Sequence, residues 1–113
     1  MITIYHNPRC SKSREGLAVL EKSGKEFKVV KYLEDVLTEK ELSEIIHLLD
    51  IPAINLVRKN EKIWKEEYKG KELSEKELIK AMIAHPKLIE RPIIVNGTKA
   101  VIGRPASDIQ SII

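Results

Sequence analysis

Only one cysteine occurs among the 113 residues, Cys10, so no internal disulfide can form, and a reducing compartment is expected. No apolar run reaches the length of a membrane span. The opening Met1-Ile2-Thr3-Ile4-Tyr5 lacks the basic stretch, apolar core and small-residue cleavage site of a secretory signal. A soluble, cytoplasmic protein follows as the expectation. Neither a glycine-rich phosphate loop nor a dinucleotide fingerprint is present, so nothing supports a bound nucleotide cofactor. His6, His47 and His85 are scattered without metal-ligand spacing, and a single cysteine does not complete a zinc set, so no metal is expected. A charge stripe of one sign is missing too. The 20 Lys+Arg and 17 Asp+Glu give a net charge of +3, and the signs interleave, as from Lys59 to Glu67. Interleaved charges describe a solvated face rather than a nucleic-acid footprint, and direct nucleic-acid binding is not expected.

What is present is the composition of an ordinary folded domain, with 42% hydrophobic and 33% charged residues and five each of glycine and proline. A chain of this length buries roughly two-thirds of the surface its unfolded form exposes, so a single self-sufficient domain is expected; a monomer is the accompanying expectation.

Ile2 to Tyr5 alternates β-branched and aromatic residues as a short strand does, and His6-Asn7-Pro8-Arg9 breaks it before a helical pattern begins at Ser11. Leu17, Val19 and Leu20 give that helix an apolar face, and Gly24 stands where a helix stops. Phe27 to Leu33 reads as a second strand, parallel to the first across the helix. Thr38-Glu39-Lys40-Glu41 and Ser74-Glu75-Lys76-Glu77 are capping boxes, in which the hydroxyl and the carboxylate satisfy backbone donors at a helix start. Pro52 opens a short helical segment carrying Ile54, Leu56 and Val57, and a charged linker is expected from Arg58 to Lys71. Ile93-Ile94-Val95 and Lys99 to Ile102 flank Asn96-Gly97, the signal of an antiparallel hairpin. Pro105 suits the first turn of a final helix. The sum is an α/β fold, βαβ then ββα with a mixed sheet, and a helical insertion over about residues 37–86 between the halves. That order matches a thioredoxin or glutaredoxin core.

Cys10 stands where a strand hands over to a helix, so its sulfur faces unpaired N–H groups and the positive end of the helix dipole. Arg9, Arg14 and His6 add cationic or hydrogen-bonding neighbours that lower a thiol pKa. Most free cysteines are buried and inert, yet this position favours a reactive thiol. Cys10-Ser11-Lys12-Ser13 keeps dithiol spacing but puts a hydroxyl where a resolving thiol would be. Ser13 therefore cannot resolve a disulfide; bonding the thiolate or an oxyanion and satisfying a backbone N–H as a first-turn residue are its two readings, and they are compatible. Guanidinium groups suit an anionic substrate because they stay charged and bind oxyanions bidentately. Arg58, Arg91 and Arg104 draw notice, the last two standing before Pro92 and Pro105 in extended or turn backbone. Taken singly, each is more often a surface ion-pair partner than a ligand.

Ile2-Thr3-Ile4-Tyr5-His6-Asn7-Pro8-Arg9-Cys10-Ser11-Lys12-Ser13-Arg14 closely resembles the opening of the glutaredoxin-coupled arsenate reductase family, the ArsC family. Leu56-Val57-Arg58-Lys59-Asn60, His85-Pro86 with Leu88-Ile89-Glu90-Arg91-Pro92-Ile93-Ile94-Val95, and Gly103-Arg104-Pro105 resemble further family blocks in family order. The resemblance implies that Cys10 is the nucleophile, with His6 as a helper near the thiol and Arg58, Arg91 and Arg104 as the oxyanion site. It implies a cis peptide before Pro92, arsenate as substrate, glutathione as external thiol donor in place of any bound cofactor, and glutaredoxin as the partner that clears the mixed disulfide. The related Spx group implies an alternative, a regulator that binds RNA polymerase, although that group commonly carries Cys-x-x-Cys where this chain has Ser13. A general glutathione-dependent thiol reductase is the third reading, on the Cys-x-x-Ser spacing.

Overall fold

The computed structural model describes residues 1–113, which divide into two compact units, residues 1–35 with 91–113, and residues 36–90. The first unit holds strand β1 (Ile2–Tyr5), helix α1 (Ser11–Ser23), strand β2 (Phe27–Val30) and the hairpin of β3 (Ile93–Asn96) and β4 (Lys99–Ile102). The sheet order is β2-β1-β3-β4, with β1 parallel to β2 and antiparallel to β3, and β3 antiparallel to β4. Ile4 lies opposite Val29 on one side and Ile94 on the other. Such a mixed sheet is the α/β fold expected from the element order.

Strand periodicity turns Ile2 and Ile4 of β1 into the core. There they join Leu20 of α1, Ile94 and Ile109, with Leu17, Val19, Phe27, Ile112 and Ile113 packed against them. Gly24 ends α1 at φ 73°, a left-handed conformation that glycine adopts without a Cβ penalty. The second strand stops at Val30 rather than Leu33. The His6 N–H donates to the Val30 carbonyl as the last rung, and beyond it β1 has turned away, leaving Lys31 to Leu33 no ladder to join. The C-terminal segment is a 3-10 run, Ala106–Ser111, entered from Pro105 rather than an α-helix containing it. Its i→i+3 bonds, Asp108 N–H to Pro105 O and Ile112 N–H to Ile109 O, set Ile109 fully into the core.

Two glycines bring these elements together around Pro92. A Cβ on Gly16 would lie 2.8 Å from Pro92 Cγ, and one on Gly103 would lie 3.1 Å from Pro92 Cγ and from the Ile94 and Ile109 methyl groups. Gly16→Ala pits a helix-propensity gain of about 1 kcal/mol against an overpacking cost of about 1–3 kcal/mol. The ring of Pro92 has no rotamer by which to escape, so overpacking should prevail and thermal melting of the variant should show a lower Tm. A Tm at or above the parent's would mean the contact relaxes freely.

The second unit carries α2 (Glu39–Leu49), a 3-10 turn at Ala53–Leu56, α3 (Lys62–Glu67), α4 (Glu75–Ala84) and a 3-10 turn at Pro86–Leu88. Both capping boxes form, Thr38 with Glu41 and Ser74 with Glu77, each hydroxyl and carboxylate reciprocally bonded to backbone N–H groups. Helix α3 replaces the charged linker expected over residues 58–71. Trp64 is buried, and its ring stacks on Tyr68 with centroids 5.6 Å apart, so one large apolar side chain organises an otherwise charged stretch. The unit also runs past residue 86, because Val57 bridges to Ile89, Arg58 N–H donates to Leu88 O, and Glu90 N–H donates to Leu56 O. No helix is long and apolar enough to cross a membrane.

Candidate active site

Cys10 is the N-cap residue of α1, its backbone extended at φ −96° and ψ 122°. Its N–H donates to Asn7 O at 3.0 Å and its carbonyl accepts the Arg14 N–H at 3.0 Å, so loop and helix both fix the main chain that carries the sulfur. The neutral thiol closes no capping hydrogen bond, and the sulfur is partly exposed. Burial pushes its pKa up. The Ser13 N–H, the hydrogen bond and charge of the Arg91 guanidinium, and the Lys12 N–H pull the other way and prevail, so the thiol lies below its ordinary value. Lys12 and Ser13 are the second and third residues of the helix, whose N–H groups lack intrahelical partners and serve an anion at the N-cap.

The Ser13 side chain faces elsewhere. Fully buried, its Oγ accepts the Asn7 N–H at 3.0 Å and meets His6 Nδ1 at 2.6 Å. The enclosed hydroxyl and the imidazole thus satisfy one another inside the loop. Burial and the Lys31 charge, with a smaller push from Arg14, hold His6 below its ordinary pKa against the opposing pull of Ser13. Asn7, buried beside it, accepts the Arg9 N–H on Oδ1 at 3.0 Å and so braces the loop from three sides. Asn7 was not among the candidate residues drawn from sequence. Its place two residues before Arg9, where asparagine mimics a backbone turn, was the available signal.

Arg104 reaches the same sulfur. Its Nη2 lies 3.5 Å from Cys10 Sγ, while its Nε donates to the Arg91 carbonyl at 2.7 Å. The Arg91–Pro92 and Arg104–Pro105 peptides are both cis, the second not anticipated, and Gly103 N–H donates to Pro92 O at 2.8 Å. The first unit thus assembles one sulfur, two helix N–H groups and two guanidinium groups. Arg58 lies in the second unit, where its Nη1 pairs with Glu90 Oε1 at 3.0 Å and its Nε is buried without a partner. Arg14, which its sequence position put beside the thiol, donates instead to the Pro8 carbonyl. His47 is exposed on α2, and His85 caps α4, with Nε2 3.6 Å from Glu67. Nowhere do three His, Cys, Asp or Glu side chains gather as a metal site would require.

Chemically, a partly exposed thiolate ringed by N–H and guanidinium donors can attack an electrophilic oxyanion and hold the negative oxygens that result. Comparison with known proteins points the same way. The family model described as the ArsC family matches residues 5–112. An arsenate reductase of Haemophilus influenzae is 41% identical, the alignment spanning 99% of this chain and 98% of that protein. An uncharacterized protein of Escherichia coli, YfgD, is 45% identical over 99% of this chain and 96% of its own length. Among solved structures, an arsenate reductase from Vibrio cholerae superposes with a TM-score of 0.95 at 43% identity, covering 99% of this chain and 97% of that one.

Proposed function

This chain belongs to the ArsC family, and on that premise we propose that it is an arsenate reductase in which Cys10 is the nucleophile. The observation that carries the reading is the convergence of Arg91 and Arg104 on a sulfur already at the mouth of α1.

The Cys10 thiolate attacks arsenic, forming an S–As bond, and one arsenate hydroxyl leaves as water after taking up a proton. Arg91 and Arg104 hold the charge on the remaining oxygens, and the family resemblance adds Arg58 to the set. An external thiol then closes an S–S bond with Cys10 as the S–As bond breaks. The electron pair of that bond stays on arsenic, which passes from As(V) to As(III), and the thiol proton goes to an arsenite oxygen. The lowered pKa makes the reactive thiolate of Cys10 more available at a given pH, while His6 and Ser13 hold the loop that presents it. A lone cysteine suits this scheme, since the second and third thiols arrive from outside. Glutathione is the donor in this reading, glutaredoxin clears the mixed disulfide, and the protein works as a cytoplasmic monomer. Neither a polymerase-binding regulator nor a general thiol reductase gains support from the site or the relatives.

The test couples the purified protein to glutathione, glutaredoxin, glutathione reductase and NADPH. Arsenate-dependent NADPH oxidation is expected. Its absence, with every coupling component shown to be active, would reject the reading.

A further inference from the structure

A cavity of about 440 Å3 lies against the loop that ends in Cys10. One wall is that loop, through His6, Pro8 and Arg9; the other is the turn after β2, through Lys31, Leu33 and Glu34. The volume is within the range of small-molecule sites, and the lining mixes apolar surface with a few polar groups, as such sites do. Two cations and one carboxylate line it, Arg9 on the first wall and Lys31 and Glu34 on the second. None of the protein's ion pairs uses Arg9, Lys31 or Glu34, so these charges are not spent on one another. His6 commits Nδ1 to Ser13, and its ring lines the cavity.

We propose that this cavity seats the external thiol of the reaction, and that its chemistry selects an anionic peptide thiol of about tripeptide size. Lys31 and Arg9 take the carboxylates, Glu34 takes the ammonium group, and the sulfhydryl is directed past Arg9 at Cys10. The reach is adequate. Adjacent Cα atoms such as those of Arg9 and Cys10 lie about 3.8 Å apart, whereas an extended tripeptide spans about 10 Å. The oxyanion groups, Arg91 and Arg104, do not line this cavity, so in this proposal arsenate and thiol take separate seats. The inference rests on the reading that an external thiol resolves the Cys10 adduct, the S–S bond forming as the arsenic leaves with the electron pair of its bond to sulfur.

S-methylglutathione, which cannot react, is the probe. Titrated into the wild-type protein, it should shift amide NMR signals at Arg9, Lys31, Leu33 and Glu34. Lys31→Glu should weaken that binding at least fivefold, and should lower the ratio of kcat/KM for glutathione to kcat/KM for cationic cysteamine at least fivefold. The ratio cancels any general loss of activity. Shifts clustered away from the cavity, no binding at millimolar probe, or an unchanged ratio would each overturn the proposal. Probe binding needs no arsenate, so shifts at the cavity in a protein without arsenate turnover would reject the arsenate reductase reading and leave the anionic-peptide site standing. Turnover without cavity shifts would do the reverse.

Discussion

Cys10→Ser is expected to reduce arsenate-dependent turnover to the uncatalysed background while leaving the fold intact or slightly more stable. A serine hydroxyl remains protonated near neutrality, and the N–H and guanidinium groups that lower the thiol pKa are far too weak to ionise it. The attack on arsenic therefore loses its nucleophile. Stability should move the other way, because Cys10 is an N-cap without a capping hydrogen bond and serine is among the best N-cap residues, by about 0.5–1 kcal/mol. The coupled NADPH assay and a thermal melt separate the two effects. Turnover within tenfold of the wild type would assign the nucleophile elsewhere.

Arg91→Ala should lower kcat/KM for arsenate by about 100- to 1,000-fold, the cost of removing one preorganised donor from a charged reaction centre. The same substitution withdraws a hydrogen bond and a positive charge from Cys10, so the thiol pKa rises toward its ordinary value. Because the thiolate is the reactive form, less of it is present at neutral pH. The pH profile of alkylation by iodoacetamide should shift upward. Arg91→Lys keeps the charge but loses the fork, and should recover the alkylation profile better than it recovers arsenate turnover. A coincident profile for wild type and Arg91→Ala would show that Arg91 does not act on the sulfur.

Local chemistry was legible in the sequence wherever one or two residues decide the backbone. Asn96-Gly97 announced the hairpin, Gly24 the end of α1, and Thr38 and Ser74 their capping boxes, and each forms. Decisions taken at a distance were not legible. Helix α3 depends on burying Trp64 in a stretch where charges outnumber apolar residues and no helical stripe shows. The end of β2 depends on where its neighbour β1 turns aside, which nothing in Lys31-Tyr32-Leu33 records. Within the site, the Cys10 environment followed from a strand–helix junction. The orientation of Ser13 did not, since the competing partners, His6 and Asn7, are set by loop geometry. Nor could spacing tell that Arg104 reaches the sulfur while Arg14 turns back to Pro8.

Arg104 is anchored on the main-chain carbonyl of Arg91, not on its side chain. Any residue at position 91 presents the same carbonyl, so side-chain changes there leave the Arg104 guanidinium where it stands. The oxyanion seat is thus modular in one direction: the Arg91 arm can be shortened, swapped or neutralised without unhooking Arg104. Selection can retune its preference among tetrahedral anions through position 91 while the Arg104 grip is kept.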